Sequence, residues 1–214
     1  MDYLVATHNK GKRDELVRIL SPLGIKVHLP DEIGIALSEP VEDADSFEGN
    51  ALIKARNGCK ESGLPCIADD SGLCVDALGG RPGVYTARYH GEETPYREKN
   101  LFLLEEMKDV PDEKRTARFV CAAACVFPDG TEIVVRGVCE GKIGYKITGE
   151  HGFGFDPVFM VEKGSFAELS PEEKDKISHR GQALEKLSAE LSAIKNNIKK
   201  DRTGAIQSVR GKKE

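Results

Sequence analysis

The sequence predicts an α/β protein in which a mixed β-sheet is flanked by helices. Three observations carry this. Short apolar, strand-like runs alternate with helix-like segments over the first third of the chain. Two longer apolar runs, "TARFVCAAACVF" and "EIVVRGVCEGKI", then flank the turn sequence "PDGT", the pattern of an antiparallel hairpin. Alternating elements early and an antiparallel pair in the middle together call for a mixed sheet.

Taken in order, "DYLVA" reads as a short buried strand and "KRDELVRILSPLG" as a helix ending near Pro22 and Gly24. "IKVHL" is the next strand. Residues 30–45 are acidic and irregular, with Asp31, Glu32, Glu39, Glu42, Asp43 and Asp45. A helix follows in "DSFEGNALIKARNGCKESG": Asp45 and Glu48 have capping-box spacing, and Phe47, Ala51, Ile53 and Ala55 supply apolar surface. "PCIADDSG" reads as a strand with two acids at its carboxyl end. "GGRPGVYTARY" is punctuated by glycine and proline, "REKNLFLLEEMKD" is helical, and "DPVFMV" is a short strand. From Gly181 onward, Leu184, Leu187, Leu191, Ile194 and Ile198 recur at helical steps, a stripe suited to core packing or a subunit contact.

The 214 residues suffice for one large domain or two intimate lobes. A net charge of -5 argues against a nucleic-acid polymer or an anionic membrane as partner, but not against a small anionic ligand. No apolar stretch approaches the roughly 18 residues that span a bilayer, and the start has no secretory pattern, so a cytoplasmic protein is expected. The six cysteines form no C-x-x-C pair and mostly sit in apolar runs, as expected of reduced thiols rather than structural zinc. From Lys195 to Glu214 the chain carries seven Lys or Arg against two acids. Residues 1–195 are therefore expected to form the domain, and 196–214 a basic tail that need not be ordered.

Four segments carry candidate chemistry. In "THNKGK" a strand stops and a helix starts, the layout of a phosphate-binding turn. The early glycine of the common phosphate loop is Ala6 here, and Arg13 stands where Ser or Thr belongs. Helix-start amides, the Thr7 hydroxyl, the Asn9 amide, Lys10 and Lys12 can still donate to phosphate oxygens. In "ADDSG", Asp69 and Asp70 should point to opposite sides of a strand, one serving the core or a loop and the other a cleft. A carboxylate facing a polyphosphate calls for a divalent cation such as Mg2+, with Glu42 as a second ligand. In "GFGFDPVF", Gly152 and Gly154 free the backbone, Phe153 and Phe155 offer flat faces for a planar base, and Asp156 offers an acceptor. In "EEKDKISHRGQAL", Ser178, His179 and Arg180 gather hydroxyl, imidazole and guanidinium donors suited to the carbonyl of a base.

Taken in order, "THNKGK", "FEGNALIKAR", "ADDSGL", "GGRPGVYTARY", "GFGFDPVF" and "EKDKISHRGQAL" closely resemble the Ham1/RdgB family of inosine/xanthosine triphosphate pyrophosphatases, over about residues 2 to 195. The resemblance implies an elongated fold of two lobes around a deep nucleotide-binding cleft, in a Mg2+-dependent homodimer that cleaves ITP, dITP and XTP to monophosphate and pyrophosphate. It implies that the loop Thr7, His8, Asn9, Lys10, Gly11 and Lys12 grips the triphosphate. Glu42 and Asp70 would hold the metal, with Asp70 also the proton acceptor, and Ser71 would contact substrate. Phe153, Gly154, Phe155, Asp156, Lys174, His179 and Arg180 would form the nucleoside pocket. Asn50, Lys54 and Arg88 fall in family motifs without an assigned role. Phe155 stands where the family often has Tyr or Trp, and His151 where a small residue is common.

Overall fold

The computed structural model describes the backbone of residues 2–210 and the side chains of residues 2–196. Its centre is a seven-stranded sheet among the described residues, with strand order β2-β1-β3-β4-β5-β6-β7. β1 (Asp2–Val5) pairs in parallel with β2 (Lys26–His28) and with β3 (Cys66–Val75). From β3 the sheet runs antiparallel through β4 (Thr116–Val126), β5 (Glu132–Ile143), β6 (Phe159–Val161) and β7 (Gly164–Ser165). The mixed sheet expected from the sequence is therefore present. The hairpin turns where "PDGT" places it: Val126 lies opposite Glu132, and Gly130 takes φ 87, open to glycine at no steric cost.

Helices cover both faces, which explains the nearly unbroken apolar run of β4. Cys121, Ala123 and Cys125 face α1 (Lys10–Leu20) and α5 (His179–Arg210), packing with Leu16, Leu20, Leu184, Leu187 and Leu191. Val120, Ala122 and Ala124 point the other way, onto Phe47, Ala51 and Ala55 of α2 (Phe47–Ser62). Small residues on β4 let a helix approach closely on each side. A third cluster lies toward the opposite end of the long strands. There Leu73, Ala117, Phe119, Ile143, Phe155, Phe159 and Phe166 pack with Leu103 of α3 (Tyr96–Glu106). β3, β4 and β5 are 10, 11 and 12 residues long, so they bridge the two ends and draw the molecule out.

Four local expectations need correction. Asp69 and Asp70 sit in the middle of β3, not at its end, because pairing with β4 continues to Val75. The cap of α2 is Ser46, whose side chain accepts from the Gly49 amide, rather than Asp45. "DPVFMV" begins as a 3₁₀ turn over Asp156–Val158, and only Phe159–Val161 is strand. A separate helix α4 (Pro171–Ile177) precedes α5, which begins at His179 rather than Gly181. Ser178 joins the two: its hydroxyl accepts from the Gly181 amide, so the entry turn expected of "SHRG" is present. The backbone of the basic tail is assigned to α5 as far as Arg210, while residues 211–214 and the side chain of Ile198 lie outside the described residues.

Candidate functional site

The cleft arises from unequal strand lengths. β1 ends at Val5, opposite Ile67, whereas β3 runs on to Val75. Beyond Ile67, one edge of β3 therefore has no strand beside it among the described residues, and Asp69, Asp70 and Ser71 lie on that open edge. β1 is also where the chain reverses its direction of winding, with α1 covering one face and α2 the other. Ligands of α/β sheets enter at such switch points. Farther along, Gly83–Arg88 closes over β3: the Leu73 amide donates to Thr86 Oγ1 at 3.0 Å. Gly72 is needed there, since a Cβ would lie 2.3 Å from the Gly83 carbonyl oxygen. The result is a cleft of about 470 Å³ with mixed polar and apolar walls.

At one end stands the loop from Thr7 to the start of α1. Asn9 caps the helix, its Oδ1 accepting from the Lys12 amide at 3.0 Å, and its own amide donates to Thr7 Oγ1 at 3.2 Å. The first amides of α1 lack intrahelical acceptors and add positive helix-end potential. Thr7, His8, Asn9 and Lys12 line the cleft. Lys10 and Gly11 do not. Lys10 is exposed, and Gly11 packs beneath Phe153, where a Cβ would come within 2.6 Å of the ring. Gly11 thus shapes the site without lining it.

In the middle, Glu42 and Asp70 both line the cleft and are joined by a lysine. Lys54 Nζ donates to Glu42 Oε2 at 2.9 Å and to Asp70 Oδ1 at 3.1 Å. One helical turn earlier, Asn50 donates to Asp70 Oδ2 at 3.3 Å and accepts from the Ala44 amide. Arg88 holds the Glu42 carbonyl oxygen at 3.1 Å. Burial pulls the Lys54 ammonium down, but Asp70, Asp69 and Glu42 outweigh it and keep its pKa above the ordinary lysine value.

At the other end, Phe153, Gly154, Phe155, Asp156, Lys174, His179 and Arg180 all line the cleft, as does Ser71 nearer the middle. Their charges are knotted together beneath it. Arg180, 1% exposed, donates to Glu15, to Asp69 and to the Ser71 hydroxyl at 2.8 Å. Lys174 donates to Glu15 at 2.9 Å and to Asp156 at 2.6 Å, and its ammonium lies 4.8 Å from the Phe153 ring centre. Asp156 also accepts from the Phe153 amide. Burial pushes the Asp69 carboxyl up, but Lys12, Arg180 and Lys54 together hold it well below the usual range. Glu15 is likewise lowered, since Arg180 and Lys174 outweigh its burial. Asp156 is raised by burial, which Lys174 offsets only in part.

His179 stacks on Phe119 at 4.7 Å, and its buried Nδ1 has no hydrogen-bond partner among the described residues. Burial, then Arg180 and Lys174, push its pKa well below 6.5, so the ring is neutral. Phe155 is 1% exposed and packs edge-on against Tyr89 and Tyr96, so it behaves as a core anchor with one edge at the cleft. Arg180 departs most from expectation. Most of its donors already serve Glu15, Asp69 and Ser71, which leaves His179 better placed to meet a base carbonyl.

Sequence reading brought together the loop, both proposed metal ligands and the pocket, but missed Glu15 and left Asp69 and Lys54 without roles. A usable signal existed for Glu15. It is three residues after Lys12 and four before Ile19, on the face of α1 that the sheet buries, where an acid requires a partner.

Among the described residues, no group of three or more His, Cys, Asp or Glu side chains stands ready to hold a metal ion. Two carboxylates still suit Mg2+, which is usually held by one or two carboxylates plus substrate phosphates and water.

The model of the Ham1 family matches residues 3–190. A dITP/XTP pyrophosphatase of Nocardia farcinica is 48% identical over 198 residues, covering 89% of this chain and 95% of that one. A solved HAM1 protein from Coxiella burnetii superposes with a TM-score of 0.79 at 38% identity, covering 90% of this chain and 99% of that one. A solved nucleoside-triphosphatase, or dITP/XTP pyrophosphatase, from Mycobacterium abscessus gives a TM-score of 0.68 at 45% identity, covering 87% and 98%.

Proposed function

The chain belongs to the Ham1 family, and from that premise we propose that it is a Mg2+-dependent nucleoside triphosphate pyrophosphatase acting on non-standard purines. ITP, dITP and XTP are cleaved to the nucleoside monophosphate and pyrophosphate, which clears them from the nucleotide pool. The observation that carries this reading is one cleft with a cationic helix start at one end, two carboxylates in the middle and an aromatic pocket with a neutral imidazole at the other.

Each region has a chemical task. Thr7, Asn9, Lys12 and the first amides of α1 bind phosphate oxygens and take up charge as pyrophosphate leaves. Glu42 and Asp70 would hold Mg2+, which when bound offsets phosphate charge and favours the attacking water. Asp70 accepts the proton of that water, directly or through a second water. Phe153 supplies a flat face to the base. His179, with Nδ1 walled off, has Nε2 left to donate to a 6-keto oxygen. Adenine presents an amino donor there and leaves such a group unpaired, at a cost of about 1–3 kcal/mol.

Among the described residues no helix is long and apolar enough to cross a membrane. A cytoplasmic location is part of the same proposal, in keeping with a reaction on the nucleotide pool. The homodimer implied by the resemblance is part of the proposal, and the exposed Tyr85, Leu101 and Phe102 offer apolar surface for a second copy.

The products test the reaction type. With ITP and Mg2+, phosphorus NMR is expected to show IMP and pyrophosphate. IDP and orthophosphate would mean that the terminal phosphate, not the α-phosphate, is attacked.

A further inference from the structure

Lys54 lies between the two acids assigned to the metal, with 2.9 Å to Glu42 Oε2 and 3.1 Å to Asp70 Oδ1. Both oxygens therefore converge on its ammonium. A Mg2+ ion bound by the same two oxygens needs them at about 2.0–2.1 Å, and an ammonium and a divalent ion cannot share that point. The oxygens that face each other across the cleft are those that Lys54 holds. Asp70 Oδ2 is engaged by Asn50, and the backbone of Glu42 is tied down by Arg88. The lysine is also well held, since its side chain is only 15% exposed and Asp69 adds a further negative charge to its surroundings.

We propose that Lys54 is a counter-ion that excludes the metal from the Glu42–Asp70 pair until nucleotide arrives and offers its phosphates as a new partner for the displaced ammonium. The inference rests on the pyrophosphatase reading and deepens it, because it makes metal and nucleotide binding cooperative. In the free protein, Lys54 keeps two acids at a fixed separation that would otherwise repel. With nucleotide present it moves from carboxylate to phosphate, so its charge remains compensated throughout. Lys54 is thus a positioning residue whose removal has opposite effects on two measurable quantities.

The test is a titration of the full-length protein with Mn2+, followed by electron paramagnetic resonance, with and without a non-hydrolysable ITP analogue. Wild-type protein is expected to bind Mn2+ weakly alone and at least ~10-fold more tightly with the analogue. Lys54→Met is expected to bind Mn2+ alone ~10-fold or more tightly than wild type, and to gain less from nucleotide than wild type does, the remaining gain coming from coordination by the phosphates themselves. Lys54→Arg keeps the charge and is expected to stay weak. Circular dichroism checks that both variants are folded, and if the Met variant is not, Lys54→Gln takes its place. Equal or weaker Mn2+ binding by the folded neutral variant overturns the proposal, as does tight binding by the Arg variant. Release of pyrophosphate from ITP by the wild type is scored separately. Its failure sinks the pyrophosphatase reading, whereas normal release with unchanged metal affinity in the neutral variant sinks only the role of Lys54.

Discussion

Asp70→Asn is expected to lower kcat by about 10²–10⁴-fold, the range associated with losing a positioned proton acceptor. The side chain reaches the cleft from the middle of β3, where the strand is held on its other edge by Ala122 of β4 and cannot shift. Its two oxygens accept from Lys54 and Asn50, so its position is fixed by α2 as well as by the sheet. An amide keeps the volume and can still accept from Lys54. It sets a second N–H₂ group against that of Asn50, a cost on the order of 1 kcal/mol. The variant should therefore fold, melt within a few degrees of wild type and bind nucleotide, yet scarcely turn over. Unchanged turnover would remove Asp70 from the chemistry.

The largest loss of stability is expected at Arg180. Its guanidinium is the common partner of Glu15 and Asp69, both buried and both held below their ordinary pKa. Arg180→Met keeps the bulk and removes the charge, which leaves two carboxylates short of a cation. Breaking a buried pair in this way costs about 3–5 kcal/mol. For a chain of this size that corresponds to a fall in Tm of about 10 °C. The effect has a pH signature. A carboxylate lowered on folding contributes stability that is present above its unfolded pKa and lost as pH falls through its folded pKa. The gap between wild type and Arg180→Met should therefore be fully present near neutral pH and narrow as the pH falls below the ordinary carboxylate values of 3.8 and 4.5. Chemical-denaturation midpoints as a function of pH measure it. A gap that does not narrow on acidification would show that Arg180 stabilises through packing alone.

These two residues also mark what the sequence discloses and what it withholds. The strands were legible because β4 and β5 are long apolar runs on either side of a turn with glycine at the position of positive φ. The segments of the cleft were legible because each carries polar groups where a strand or helix begins or ends. The position of the two acids within β3 was not. "PCIADDSG" looks finished at Gly72, and the pairing that carries the strand on to Val75 comes from β4, about fifty residues later. Nor was the buried charge network legible. Glu15, Asp69, Asp156, Lys174 and Arg180 come from α1, β3, a 3₁₀ turn, α4 and α5. Which acid meets which cation is settled only by contacts between residues as far as 165 apart in the chain. Only folding shows that Arg180 is mostly committed to acids, and for that reason the proposal gives base recognition to His179.

The central claim is that one cleft joins phosphate-gripping, metal-holding and keto-recognising groups around a single nucleotide. It is tested most directly by kcat/KM for pyrophosphate release from ITP and from ATP, measured side by side in Mg2+. The account predicts that ITP is favoured by about 5- to 150-fold, the worth of one unpaired donor against adenine. Equal rates on the two nucleotides, or no pyrophosphate from ITP, would contradict it.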